Sequence, residues 1–137
     1  MELDNGRNRR TSSRKEFRTD CSLEIVGPTE YMGLGLLQGR TVNLTEHGLM
    51  VMIPGLRQAI ADAWQTAVEQ DKVVIVQAIL RDYPLLPPLK GQIVWVNWRE
   101  EAELGPTCYL GLLFHILEDS VITALQEMLK GLETHDD

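Results

Sequence analysis

The chain has 137 residues, the size of one ordinary domain, and it can bury a core without help from a disulfide or a metal. Its composition, 44% hydrophobic and 24% charged, is that of a globular protein. No apolar run approaches the ~20 residues that cross a bilayer, and the polar N-terminus has no signal-peptide segment. We therefore predict a cytoplasmic domain with no membrane insertion.

The charge is unevenly distributed along the chain. The formal net charge is -7, yet residues 1–18 hold six of the 13 Lys and Arg and only three of the 20 Asp and Glu. The first 18 residues therefore sum to +3 and the remainder to -10. A basic arm on an acidic body indicates either a solvated tail or an anionic ligand that is met locally. A nucleic acid is disfavoured, because the acidic body repels a polyanion and contacts made by the arm alone would be strongly salt-dependent.

Residues 1–13 have no periodicity and almost no apolar content, which predicts a flexible basic N-terminal arm before a single domain over residues 14–137. Strand-like segments follow at steady spacing. They cover residues 20–26, 36–44, 49–53, 73–80, 92–98 and 107–116. Between them lie turn residues at 27–33 and 45–48 and a polar stretch at 99–106, predicted to be a turn. Because strands and helices do not alternate, the order favours a small antiparallel barrel.

Two helices are predicted among these strands. In residues 56–70, apolar residues recur every four positions and form one face, which consists of Leu56, Ile60, Trp64 and Val68. This face is expected to pack on the barrel or on a partner. Residues 118–132 form the second helix, with an apolar face of Val121, Leu125, Met128 and Leu132.

The sequence nominates no catalytic residue and no metal site. Cys21 and Cys108 are predicted to be buried free thiols, and the three histidines lack the spacing of zinc ligands. No nucleophile elbow, HExxH motif or phosphate-binding loop with its lysine is present. We therefore do not expect an enzyme.

A short motif lies between two of the predicted strands, in the stretch VNLTEHGLMV at residues 42–51. Asn43, Thr45 and Gly48 are spaced N-x-T-x-x-G. Asn and Thr offer short hydrogen-bonding side chains at a turn, and Gly lets the backbone reverse or a ligand approach closely. Alone, this motif predicts a β-hairpin turn.

The motif has a companion at the end of the arm, where Arg14 and Arg18 form an R-x-x-x-R pattern directly before the first long strand. The two motifs together resemble the PilZ domain, the bacterial module that binds cyclic di-GMP, whose motifs are RxxxR and [D/N]xSxxG. Thr45 stands where the family has Ser and keeps the hydroxyl. Arg10 and Arg14 have the same spacing, so a second register is open.

The resemblance extends to later segments and covers most of residues 10–132. GQIVWV at 91–96 is similar to a later strand of the family, and residues 109–129 are similar to its final strand and terminal helix. The helix at 56–70 is longer than the connection common in the family. The resemblance implies a mainly β protein: a small six-stranded antiparallel, split β-barrel with a C-terminal helix and the inserted helix around 56–70.

The resemblance also implies a ligand, cyclic di-GMP, and no cofactor. The residues expected to bind it are Arg14, Arg18, Asn43, Thr45, Gly48, Arg10 and Trp95. An arginine fork can pair with a phosphate or with the O6 and N7 edge of guanine. Trp95 is expected either to stack on a guanine or to pack in the core, and Trp98 is expected on the surface.

The implied function is that of a receptor. Cyclic di-GMP would order the arm, and the domain would relay the signal to an unidentified protein effector that controls motility, biofilm or exopolysaccharide. Candidate effector surfaces are the helix at 56–70 and the acidic residues 99–103. The alternative is a PilZ-like adaptor that does not bind nucleotide. The number of nucleotides bound, and the choice between monomer and homodimer, stay open.

Overall fold

The computed structural model describes residues 15–115 and 118–135. Within these ranges the chain forms seven strands, two α-helices and a 3-10 helix over Thr29–Leu34. The strands are β1 (Lys15–Glu16), β2 (Asp20–Gly27), β3 (Leu37–Leu44), β4 (Gly48–Pro54), β5 (Ile75–Leu80), β6 (Leu89–Glu101) and β7 (Gly105–Phe114). The helices are α1 (Gln58–Glu69) and α2 (Asp119–His135). Among the described residues, no helix is long and apolar enough to cross a membrane.

Six of the strands close into an antiparallel barrel. The order of neighbours is β3, β2, β5, β6, β7 and β4, and β4 pairs again with β3. The two-residue strand β1 pairs with the last residues of β3 and lies in line with β2. This confirms the prediction of a mainly β, six-stranded antiparallel barrel with two helices.

The core fills the inside of the barrel, because side chains alternate between its two faces. In β2, Cys21, Leu23 and Ile25 are buried while Asp20 and Glu24 are exposed. Both cysteines are buried free thiols, as predicted. Burial raises the pKa of Cys21 and the pKa of Cys108 from about 9 to about 12, which disfavours the thiolate form of both.

Helix α1 packs on the barrel with the predicted apolar face. Leu56 and Trp64 are buried, and Ile60 and Val68 are half-buried against the core. The buried face also includes Ala61 and Ala67, which the prediction did not name. These small residues let the helix backbone approach β6 closely, and Trp64 enters the core between them.

The hairpin of β6 and β7 is longer than predicted: its turn lies within the expected 99–106 but covers only residues 102–104. The strands remain paired up to Glu101 and Gly105. Polar residues suit this extension because they interact with one another along it. The Arg99 guanidinium lies 4.5 Å from the centre of the Tyr109 ring on β7, and its Nε lies 3.3 Å from Glu101 on the same strand. Trp98 was wrongly placed on the surface. It is half-buried, and its indole nitrogen donates to the carbonyl of Leu56 at 2.9 Å.

The two ends of the barrel carry different elements. One end is here called the α1 end. It carries helix α1, which connects β4 to β5 in the chain, and the tip of the β6–β7 hairpin. The opposite end, here called the turn end, holds the β3–β4 turn at 45–47, the loop at 81–88 and helix α2. Helix α2 buries Val121 and Leu125 and also contacts β1. The sequence motif N-x-T-x-x-G therefore lies next to the C-terminal helix and the end of the arm.

Candidate functional site

The β3–β4 turn is held by the hydroxyl of Thr45. The Thr45 oxygen accepts hydrogen bonds from the backbone N–H groups of His47 at 3.0 Å and Gly48 at 3.1 Å. The backbone N–H of Thr45 in turn donates to the Gly48 carbonyl at 3.0 Å. Ser and Thr stabilise turns in this way, so the hydroxyl that the motif retains has a structural role here.

Gly48 is required by close packing of the backbone. A Cβ atom at this position would lie 2.3 Å from the carbonyl oxygen of Leu112 on β7. That oxygen belongs to a paired strand, since Gly48 lies opposite Leu113 in the register of β4 and β7, and it cannot move away freely. The glycine therefore lets the turn press directly on β7.

Trp95 lies on the outer face of the barrel, above a second glycine. The pairing of β6 with β7 shifts by one residue between Ile93 and Trp95, and such a bulge re-aims the side chains that follow it. The indole ring covers Gly111, where a Cβ atom would lie 2.1 Å from the indole nitrogen. Trp95 is 40% exposed, so of the two roles expected for it, core packing is wrong.

The predicted residues of the turn and Trp95 line one cleft. Asn43, Thr45, Gly48 and Trp95 surround a cleft of about 190 Å³ on the outer face of β3, β4, β7 and β6. These residues are up to 52 positions apart in the sequence, and the barrel brings them together. Within the described residues, the side-chain amide of Asn43 hydrogen-bonds to the sulfur of Met50 at 3.5 Å, a weak acceptor that leaves the amide's hydrogen-bonding capacity largely available.

The end of the arm is fastened to β3 beside this cleft. In β1, Lys15 pairs with Leu44 and Glu16 pairs with Asn43. Phe17 is then buried, with its ring 5.3 Å from that of Tyr83. Further hydrogen bonds hold the following residues to β3. They join the Phe17 N–H to the Val42 carbonyl, the Thr19 N–H to the Thr41 hydroxyl, and the Thr41 hydroxyl to the Phe17 carbonyl.

The predicted arginines are not part of the cleft as described. Arg18 is exposed between the buried residues Phe17 and Thr19 and does not line it. Arg10 and Arg14 lie outside the described residues. Among residues 15–115 and 118–135, none that lines the cleft is Lys or Arg. A phosphate bound there therefore requires positive charge from another segment, and the basic arm enters beside it at Lys15.

Seven of the residues that line the cleft were not identified from the sequence. Among them, His47 lies inside the motif, Met50 lies two residues after it, and Leu113 projects outward from β7 with 46% of its surface exposed. Gly111 could have been recognised as a companion of Trp95, because a glycine inside a strand often marks close approach of another group. Elsewhere in the described part of the chain, no group of three or more His, Cys, Asp and Glu is arranged to hold a metal.

Comparison with known proteins identifies the fold. No protein-family model matches the sequence, and no curated protein matches it. Solved structures do match. The PilZ domain of YcgR from Escherichia coli, solved with cyclic di-GMP, has a TM-score of 0.63 at 14% identity, covering 93% of this chain and 94% of that one. The chain therefore has a PilZ-like fold.

Two further solved structures share the PilZ-like domain but are longer proteins. MrkH from K. pneumonia, in complex with cyclic di-GMP, matches with a TM-score of 0.62 at 10% identity over 93% of this chain and 54% of MrkH. PlzA from Borreliella burgdorferi, also with cyclic di-GMP, matches with a TM-score of 0.55 at 10% identity over 98% of this chain and 56% of PlzA. The chain thus spans about half of each. At these identities the likeness establishes the fold.

Proposed function

We propose that this PilZ-like domain is a receptor for cyclic di-GMP. The observation that carries the proposal is the convergence of Asn43, Thr45, Gly48 and Trp95 on one cleft, next to the residue at which the basic arm joins the barrel. The solved PilZ structures of YcgR, MrkH and PlzA were determined with the same nucleotide, which supports this choice of anion.

Each part of the proposed site suits a different part of the ligand. Trp95 offers an exposed ring face on which a guanine can stack, a contact worth about 1–3 kcal/mol per base. The amide of Asn43 offers donors and an acceptor to the base or the phosphate. Arginine forks from the arm supply the positive charge that the cleft lacks.

The pairing of β1 with β3 favours Arg14 over Arg10 as the first arginine of the site. Arg14 is bonded directly to Lys15, and Lys15 pairs with Leu44, the residue before Thr45. An extended chain advances about 3.3–3.6 Å per residue, so Arg10, four positions before Arg14, can lie much farther from β3. Arg18 follows on the exposed side of the same segment.

The proposed response to the ligand is ordering of the arm, followed by recognition of the new surface by a protein effector. Fixing the backbone of about five residues costs about 5–10 kcal/mol, which is comparable to the sum of the proposed arginine and stacking contacts. Net binding near micromolar would then make arm order depend on the concentration of ligand. Because β1 pairs with the end of β3, just before the turn, and contacts α2, the change would reach the C-terminal helix directly. This role requires no catalysis and no cofactor.

Calorimetric titration with cyclic di-GMP tests the proposal. We expect the wild-type protein to bind near micromolar, and Arg14→Ala and Arg18→Ala each to lose at least tenfold in affinity. Arg57→Ala, which removes an exposed positive charge at the α1 end, is the matched control and should bind normally. Absence of binding by the wild type would leave the alternative, a PilZ-like adaptor that acts by protein contact alone.

Two further readouts examine the details. Binding that survives Arg14→Ala and Arg18→Ala but is lost in Arg10→Ala would shift the arginine register. Amide hydrogen exchange across residues 7–19 should slow when the nucleotide is added, and equal rates with and without it would contradict ordering of the arm.

A further inference from the structure

A second cavity lies directly beyond the β3–β4 turn. This groove, of about 340 Å³, runs between the turn and helix α2. Its floor is apolar and includes the buried Leu125 and the half-exposed Leu113. Four polar side chains stand along it, namely Glu46, His47, His115 and Gln126. An apolar floor with a few converging polar groups is the usual composition of a small-molecule site.

The groove is continuous with the cleft that holds Trp95. His47 and Leu113 line both cavities, so the turn forms the partition between them. The cleft alone, at about 190 Å³, is smaller than the roughly 300 Å³ at which sites for drug-sized ligands begin. A ring of two nucleotides therefore needs more space than the cleft provides, and the adjoining groove supplies it.

We propose that the groove is a guanine-binding subsite of the same ligand site, with Glu46 as its specificity-determining residue. This inference rests on the proposed function. A carboxylate offers two oxygens that only accept hydrogen bonds. The Watson–Crick edge of guanine presents two adjacent donors, N1–H and the N2 amino group, which match those oxygens. Adenine presents one donor and one acceptor at this edge and does not match.

The charge of the groove determines which part of the ligand binds there. Its described lining contains a carboxylate and neither Lys nor Arg. A phosphate would be repelled by Glu46, whereas the donor edge of a base is attracted to it. The base therefore occupies the groove, and the phosphates lie toward the turn and the arm.

A base in the groove contacts helix α2 as well as the turn. Gln126 lies on α2 and faces the groove, and its amide can donate to the O6 or N7 acceptors of guanine. The ligand then bridges the β3–β4 turn and α2. This bridge gives the C-terminal helix a direct contact with the nucleotide, in addition to its contact with β1.

Titration of Glu46→Gln with cyclic di-GMP and with cyclic di-AMP tests the subsite. We expect affinity for cyclic di-GMP to fall about tenfold and the preference for guanine over adenine to shrink by a similar factor. Glu24→Gln removes an exposed carboxylate from β2, away from both cavities, and controls for the loss of negative charge. That variant should keep the wild-type preference. An unchanged preference in Glu46→Gln would overturn the inference.

A second pair of variants examines α2. Gln126→Ala should weaken binding of cyclic di-GMP several-fold, whereas Thr123→Ala, an exposed change on the same helix outside the groove, should not. Equal affinities of these two variants for cyclic di-GMP would show that α2 is not part of the ligand site. If the wild type binds and neither Glu46→Gln nor Gln126→Ala differs from it, the subsite is wrong while the proposed function stands. If the wild type does not bind at all, both are wrong.

Discussion

Trp64 and Trp95 show how the same residue type serves two regions of this molecule. Trp64 is 1% exposed and fills the core beneath α1. Trp95 is 40% exposed and covers Gly111 on the outer face of the barrel. Since the residue type is the same, the exposure of Trp95 results from its surroundings. Gly111 has no side chain, so the ring lies close against the strand while part of its surface lines the cleft.

The two helices also differ in how completely their apolar residues are buried. Helix α1 closes its end of the barrel with buried residues that include two alanines and Trp64. Helix α2 buries Val121 and Leu125 but leaves Ile122 39% exposed, and a cavity adjoins it on either side. The centre of α1 is thus buried in the core, whereas α2 leaves apolar surface beside two cavities at the turn end.

The largest expected effect comes from truncating Trp64. Trp64→Ala leaves a cavity in the core and should lower the free energy of unfolding by about 3–5 kcal/mol. Trp95→Ala removes a side chain that is already partly exposed and should lower it by about 1 kcal/mol or less. Urea denaturation of both variants checks the difference. Equal losses of unfolding free energy in the two variants would contradict the difference in burial between Trp64 and Trp95.

Gly48→Ala should have the next largest effect. The added methyl group lies 2.3 Å from the Leu112 carbonyl oxygen, so the turn must move away from β7, at about 1–3 kcal/mol of stability. Affinity for cyclic di-GMP should fall as well, because the cleft and the groove share this turn. Gly33→Ala is the control, since nothing lies within 4 Å of a Cβ at that position. A Gly48→Ala protein as stable as Gly33→Ala would contradict the packing described.

Gly111→Ala changes the position of the Trp95 ring and leaves the Trp95 side chain itself intact. The new methyl group would lie 2.1 Å from the indole nitrogen, so the ring must swing away from β7. Binding of cyclic di-GMP should weaken by about 1–3 kcal/mol, the value of one base stack, and Trp95→Ala should show the same loss. The double variant should be no worse than either single one. Additive losses in calorimetry would mean that Gly111 acts separately from the ring.

The smallest expected effect concerns Thr45. Thr45→Val removes the hydroxyl that accepts from the N–H groups of His47 and Gly48, which should cost about 1 kcal/mol of stability. Thr45→Ser keeps the hydroxyl and should match the wild type in both stability and binding. Thermal unfolding and titration of the pair check this. A clear gain in affinity for Thr45→Ser would show that the threonine methyl obstructs the ligand.

The sequence predicted the barrel because its strands are short, apolar and regularly spaced, with no helix between most of them. It also predicted the turn, since the residues of N-x-T-x-x-G act on neighbouring backbone. It failed where contacts between distant elements decide. The burial of Ala61 and Ala67 depends on how closely α1 approaches β6, and the half-buried state of Trp98 depends on the carbonyl of Leu56.

Only part of the site could be predicted from the sequence, because contacts between distant elements form the rest. Asn43, Thr45 and Gly48 are close together in the chain, so their spacing alone indicates a common position. Trp95 joins them through a strand bulge and through Gly111, neither of which has a local signal at residue 95. The groove beside α2 requires the register of β4 against β7 and the packing of a distant helix.

The most direct test of the account is a titration of isotopically labelled protein with cyclic di-GMP, followed by the indole signals of the three tryptophans. We predict that the Trp95 indole signal shifts, together with the amides of Asn43, Thr45 and Gly48. The Trp64 indole signal should stay unchanged, because it is buried in the core beneath α1. Shifts confined to Trp64 and α1, or no shift at all, would contradict the assignment of the nucleotide to the cleft at the β3–β4 turn.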